Sequence, residues 1–206
     1  FNAGTIYMKD IPETCKLTDK QQIQKECHTN QKAYQDVKQI KTFLEQLKYP
    51  LYFMDFETYS TAIPLHDGTK PYQNIPFQFS VHVISKPNTK AENHSFLYKG
   101  KGDPRADFMK ELKACMGTNG TVLAFNAPFE LNVLKACAES LTAYKPFAQN
   151  ISERIIDLIV PFRSFFYYHP NQKGSASLKE VLPALVGQGY DDLEISDGQA
   201  ASLKYL

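Results

Sequence analysis

An excess of charge of one sign is missing from this chain. Its 206 residues carry 23 basic and 22 acidic groups, a formal net charge of +1. That balance excludes a protein that coats nucleic acid by bulk charge, but not an enzyme that grips a few nucleotides through metal ions and local contacts. Cysteine is scarce too. Cys15, Cys27, Cys115 and Cys137 are the four present, too few and too irregularly placed for a disulfide scaffold at this length. The gap between Cys15 and Cys27 does not fit a zinc knuckle, and Cys115 and Cys137 fall inside apolar helical patterns, where they read as small core residues. No apolar run approaches the roughly 20 residues of a membrane-spanning helix. No secretory leader opens the chain, so a reducing cytoplasm is the expected compartment. The chain begins at Phe1 and ends abruptly at Leu206, so a piece of a longer polypeptide is expected.

What is present is an ordered domain. Apolar residues make up 43%, aromatics 13% and charged residues 22%, a composition that argues against disorder. Residues 1–48 are polar and rich in lysine and glutamine, and read as a helical appendage or linker. Thr18 followed by Gln21 forms a capping-box pattern, and Val37, Ile40, Leu44 and Leu47 line one stripe of a helix over roughly 33–48 that Tyr49-Pro50 stops. Residues 49–206 then form the main domain. Leu51–Met54 is an apolar run leading into Asp55-Phe56-Glu57-Thr58; a strand apolar on both faces belongs in a sheet covered by helices on both sides. Further strands are expected at 77–84, 95–98, 122–125 and 155–160. Helices are expected after Asp103-Pro104, from Pro128, and after Ser177. Strands first, then strands alternating with helices, predict a mixed α/β sheet.

Acid-x-acid pairs occur twice, at Asp55/Glu57 and Asp192/Glu194. With acids at about one residue in nine, chance supplies roughly two, so the spacing alone carries nothing. Context separates them: Asp192/Glu194 follows glycines with no apolar run and reads as a loop. Asp55 and Glu57 end a central strand, where a period of two puts both carboxylates on one face, about 6.6 Å apart along the chain. Two carboxylates so placed invite a shared divalent ion, and oxygen-only donors favour Mg²⁺ or Mn²⁺; they would equally serve as caps at a strand end. The segment Phe125-Asn126-Ala127-Pro128-Phe129-Glu130 also joins a strand to a helix. Glu130 there is open to two readings, a helix-start cap or an acid facing the end of the Asp55 strand.

An acid-x-acid on the first strand, followed about seventy residues on by Asn-x-x-Phe-acid, resembles the first two motifs of the DEDD-type 3′–5′ exonucleases. More narrowly, YPLYFMDFETYSTAIP, PYQNIPFQFSVHV, FNAPFE, RIIDLIVPF and GSASLKEVLPAL resemble the bacterial domain-of-unknown-function family 2779, over about residues 45–205. The resemblance implies a ribonuclease H-like mixed β-sheet of about five strands flanked by helices. It also implies nuclease activity on the 3′ end of DNA or RNA through two Mg²⁺ or Mn²⁺ ions. By position, Asp55, Glu57 and Glu130 would be catalytic metal ligands, with Glu130 where an aspartate is commoner. Thr58, Tyr59, Asn126 and Phe129 would meet the nucleic acid. The third motif of the DEDD-type exonucleases is a Tyr or His four residues before an Asp. Tyr190 and Glu194 share that spacing in loop-like sequence and read as a decoy, so the fourth acid is expected beyond Leu206, as is a possible upstream domain.

Weaker candidates remain. Asp157 reads as an acid that orients a metal ligand or water, or as the close of an edge strand. Phe56, Tyr59 and Phe129 could stack a base, at about 1–3 kcal/mol each, or belong to the core. Arg154, Arg163, Lys173 and Lys179 could touch phosphates or be solvated, His82 reads as a core histidine, and His169-Pro170 as a turn. The alternatives to a nuclease are a catalytically incomplete nucleic-acid-binding or scaffolding module of the same fold, and a protein-interaction domain whose acids are only caps.

Overall fold

The computed structural model describes residues 7–187, Gly189 and residues 198–205; Tyr190, Asp192 and Glu194 lie outside them. In chain order the elements begin with α1 (Asp19–Asn30), β1 (Tyr34–Gln35), α2 (Val37–Leu44), β2 (Leu51–Tyr59), β3 (Ile75–Ile84), β4 (Glu92–Leu97) and α3 (Arg105–Cys115). They continue with β5 (Thr121–Ala124), α4 (Pro128–Ser140), α5 (Lys145–Arg154), β6 (Ile155–Asp157), α6 (Val160–Arg163), β7 (Tyr167–Tyr168), α7 (Leu178–Val186) and α8 (Gly198–Tyr205).

The chain divides into two units near Leu47, where the sequence changes character. The N-terminal segment does not stand alone: residues 159–187, expected within the main domain, pack with it. In this unit Thr18 caps α1 with the reciprocal Gln21 bond of a capping box. The expected helix over 33–48 is shorter, because Tyr34 and Gln35 pair with Tyr168 and Tyr167 in a two-stranded ladder. Asp36 then caps α2 by accepting from the Gln39 N–H. Tyr168, buried at the centre, stacks on Phe165 at 5.0 Å.

The other unit contains the mixed sheet, ordered β4-β3-β2-β5-β6. β3 is antiparallel to both its neighbours, and β5 runs parallel to β2 and β6. Four strands therefore end at one edge. Tyr52, Met54 and Phe56 point into the core with Phe79 and Val81 of β3, Phe108 and Leu112 of α3, Val133 and Leu134 of α4, and Ile151 of α5. Phe56 meets Phe108 edge-on at 5.0 Å. The alternate positions differ from expectation: Phe53, Asp55 and Glu57 are half-buried or exposed, opposite His82, Ser80 and Gln78. Helices α3, α4 and α5 share the one core cluster, so the antiparallel half of the sheet has a packed face and a polar face. His82 is exposed on the polar face rather than buried in the core.

Register breaks once. Glu57 faces Gln78 but Thr58 faces Pro76, leaving Phe77 unpaired in a bulge. Past it, Tyr59 joins Ile75, Phe77, Ala201 and Tyr205 in a second small core. The strand expected over 155–160 ends at Asp157 because the backbone turns there, and the Leu158 N–H donates to the Ala124 carbonyl at 2.9 Å. Among the described residues, no helix is long and apolar enough to cross a membrane.

Candidate active site

Strand direction assembles the site. Phe53 faces Leu123, Leu123 faces Ile156, and Ala124 faces Asp157. Asp55 thus lies just beyond the last pairing of β2 with β5, and Asp157 is the final residue of β6. The crevice outside the carboxyl ends of parallel strands is where open α/β sheets place ligands.

Between these strand ends the chain makes the sharp turn into α4. Asn126 adopts φ 72°, a left-handed conformation that asparagine tolerates better than most residues. Its backbone N–H donates to Asp157 Oδ1 at 2.8 Å, so the acid on β6 pins the turn that follows β5. Ala127 then starts α4 with Pro128 in the first turn and no side-chain cap. This turn drives Glu130 inward, to 3% exposure.

Glu130 is the electrostatic focus. Burial pushes its carboxyl up to about 7 from the usual 4.5; its own backbone N–H opposes the rise, and the Asp55 and Asp157 charges add to it. Carboxylate Oε2 is buried with no hydrogen-bond partner among the described residues. Leaving a buried acceptor unsatisfied costs about 1–3 kcal/mol, and more for a charged group. A proton or a cation would satisfy it. Asp55 is open to solvent on one side, while protein crowded behind its carboxyl raises its pKa through lost hydration.

The structure thus brings Asp55, Glu130 and Asp157 into one electrostatic neighbourhood. Glu57 sits one pleat beyond Asp55 on the same strand face, half-buried beside the bulge. All of these donors are oxygens, the set that suits Mg²⁺ or Mn²⁺, and the orphaned Glu130 Oε2 fits such an ion. Among the described residues, however, no three His, Cys, Asp or Glu side chains form a group that could hold a metal ion. The donors suit the ion; their present spacing is not a closed cage.

Other expected contacts fall elsewhere. Phe129 is half-buried against the main core, and Asn126 is exposed at the turn. The Thr58 carbonyl accepts from Ser202 Oγ at 2.6 Å. Phe56 and Tyr59 do not present free ring faces for a base: Phe56 is in the core, and Tyr59 stacks on Tyr205 at 5.4 Å while its hydroxyl bonds His66 Nε2 at 2.5 Å. Arg154 is not a phosphate contact either. Its guanidinium donates to the carbonyls of Gly117, Asn119 and Gly120, which precede β5 at the edge opposite the carboxylates. In the other unit Lys173 pairs with Glu180 at 3.3 Å, Arg163 and Lys179 are exposed, and His169 caps a 3-10 turn.

Sequence reasoning missed Arg105. It is 4% exposed at the start of α3, ion-paired to Asp103 at 2.6 Å, and donates to Ser140 Oγ at 3.0 Å and the Asp67 carbonyl at 3.2 Å. A sequence signal existed in the Asp-Pro-Arg run, but a lone arginine at a helix start reads as solvated surface.

The fold and site define a class: a mixed α/β protein with buried and half-buried carboxylates at the carboxyl ends of parallel strands. The sequence model of the family described as domain of unknown function (DUF2779) matches residues 52–177. The chain belongs to that family, and the matched stretch includes Asp55, Glu57, Glu130 and Asp157. Comparison with curated proteins and with solved structures gave no match.

Proposed function

We propose that this carboxylate cluster is a metal-dependent phosphodiesterase site, and that the chain is a DEDD-type nuclease domain of ribonuclease H-like kind acting on the 3′ end of DNA or RNA. The observation that supports it best is Glu130: a buried carboxylate with one oxygen unpartnered, beside Asp55 and Asp157 at the strand ends. A buried carboxylate with an unsatisfied oxygen beside other acids is not retained for stability; it is the arrangement expected of a cation site. Asp55, Glu57 and Glu130 are the residues that would hold Mg²⁺ or Mn²⁺. When bound, such ions polarise a phosphodiester and lower the pKa of attacking water. Asp157 positions Glu130 by fixing the Asn126 turn, and burial of Glu130 keeps bulk water off its free oxygen.

The lack of a close group of three ligands favours a second reading, an incomplete module that binds nucleic acid without cutting it. Incubating end-labelled single-stranded DNA and RNA with the protein and Mg²⁺ or Mn²⁺ separates the two. The nuclease reading predicts stepwise 3′ shortening that Asp55→Ala abolishes. Shortening that survives Asp55→Ala counts against this site, and binding without any shortening selects the second reading.

A further inference from the structure

Two loops meet the carboxylate edge of the sheet besides the turn into α4, the helix that carries Glu130. Residues 60–74 leave the end of β2 and return to β3. Residues 98–104 leave the end of β4, which runs in the same direction as β2 because both are antiparallel to β3. The second loop starts at the bulge beside Glu57, where the Tyr98 N–H donates to the Phe77 carbonyl at 2.9 Å. Both loops therefore emerge at the site's end of the sheet by topology alone.

They are held firmly. Arg105 joins them, pairing with Asp103 of one and donating to the Asp67 carbonyl of the other. His66 is fixed by the Tyr59 hydroxyl, and Thr69 Oγ1 donates to the His66 carbonyl at 2.6 Å. The neck of the longer loop closes where the Tyr72 N–H donates to the Thr61 carbonyl at 2.9 Å.

What this framework presents is unusual for a loop. Ile63, Leu65 and Tyr72 are 78%, 58% and 72% exposed. Tyr72 is held at φ 58°, a conformation costly for a bulky side chain and one that persists only where surrounding structure imposes it. Lys70, Lys99 and Lys101 are exposed and form no ion pair among the described residues. Asp103 is neutralised by Arg105, which leaves Asp67 as the opposing acid. The net result is an exposed aromatic ring, two aliphatic side chains and surplus positive charge on a braced support. That combination matches a single nucleic-acid strand, whose bases stack on aromatic faces and whose phosphates seek lysine; an acidic protein would not use the ring in this way.

Resting on the site reading above, we propose that the Tyr72 ring is a base-stacking platform and that Lys99 and Lys101 contact phosphates, so that the two braced loops hold the single strand upstream of the scissile bond. Tyr72 adjoins the end of β2, and four residues of strand put Tyr59 about 13 Å beyond Asp55. The framework orients a strand before it reaches the carboxylates, so the substrate is a frayed or single-stranded 3′ end rather than a blunt duplex.

The test is fluorescence anisotropy with 5′-labelled oligothymidylate and oligouridylate on the Asp55→Asn protein, with Tyr72→Ala, Tyr72→Phe and Tyr72→Gly added singly. Alanine and glycine should weaken binding about tenfold, and phenylalanine should bind like tyrosine. Glycine is at ease at positive φ, so Tyr72→Gly should keep its thermal midpoint while losing affinity, which a purely structural role would not produce. Lys99→Ala with Lys101→Ala should reduce the salt slope of log Kd by about 1.4. Equal affinity for Tyr72→Ala and the parent overturns the inference, as does a Tyr72→Phe defect as large as that of alanine. Protein that shortens 3′ ends but shows neither effect leaves the site reading standing and removes only this one; no binding and no shortening removes both. Binding of an acidic peptide that competes through Tyr72 would assign the surface to a protein partner and overturn it too.

Discussion

Glu130→Gln is the most telling single change, because it swaps a buried acid for a neutral side chain of the same shape. The Glu130 carboxyl is held near 7 by burial, against 4.5 for an ordinary glutamate. A raised pKa means that the folded protein binds this proton more tightly than the unfolded chain does. Its stabilising contribution is fully present below pH 4.5 and is lost as pH rises through 7. The two and a half units between these values correspond to about 3 kcal/mol, or roughly 10 °C in thermal midpoint for a chain of this size. In chelator, wild type should therefore lose stability from pH 5 to 8 relative to Glu130→Gln. Asp55, also raised by burial, is present in both proteins and largely cancels in the difference. Urea unfolding at half-unit pH intervals measures the gap between the two curves. Parallel curves across that range would refute the claim that Glu130 is buried beside other carboxylates.

Two further outcomes follow from the hydrogen bonds around the site. Asp157→Ala removes the acceptor for the Asn126 N–H; a loss of about 1–3 kcal/mol is expected, with Asp157→Asn recovering most of it, and equal stability of the alanine variant would show that the turn needs no pin. Arg105→Met strips Asp103 of its partner. Burial alone would raise the Asp103 pKa, and the Arg105 hydrogen bonds overcome that and hold it below the usual range. The wild type's extra stability is therefore present above pH 4 and fades as pH falls, and the variant should lack that fade; Asp103 is partly exposed, so about 1–3 kcal/mol at pH 7 is the expected scale.

Much of the sheet unit could be read from local pattern. The strand that begins at Leu51, the Asp103-Pro104 helix start and the Pro128 start all appear where expected, because each is decided by neighbours in sequence; that the strand's second face is polar was not expected. The elements that eluded sequence reasoning depend on distant partners. Tyr34 and Gln35 form a strand because Tyr167 and Tyr168 come back to pair with them. The Phe77 bulge exists only once β2 and β3 are in register, and Tyr59 finds its aromatic core only when Tyr205, far along the chain, stacks on it. Asp157 could be read either as an acid orienting a ligand or as the close of an edge strand; it does close β6, and its bond to Asn126 depends on β6 lying beside β5. For Glu130 the position was legible and the burial was not, since the depth of a first-turn side chain is set by the left-handed turn at Asn126. The braced loop around Arg105 gave no periodic signal at all, because the Arg105 bonds that tie it down, to Ser140 and to the Asp67 carbonyl, join residues 35 or more apart in sequence.

The direct test of a shared cation at the strand ends is calorimetric titration of the metal-free protein with Mn²⁺ near pH 7.5. Saturable binding that releases protons and is lost in Glu130→Gln and in Asp55→Asn is the predicted result. Binding of equal strength in all three proteins, or none in the wild type, would contradict it.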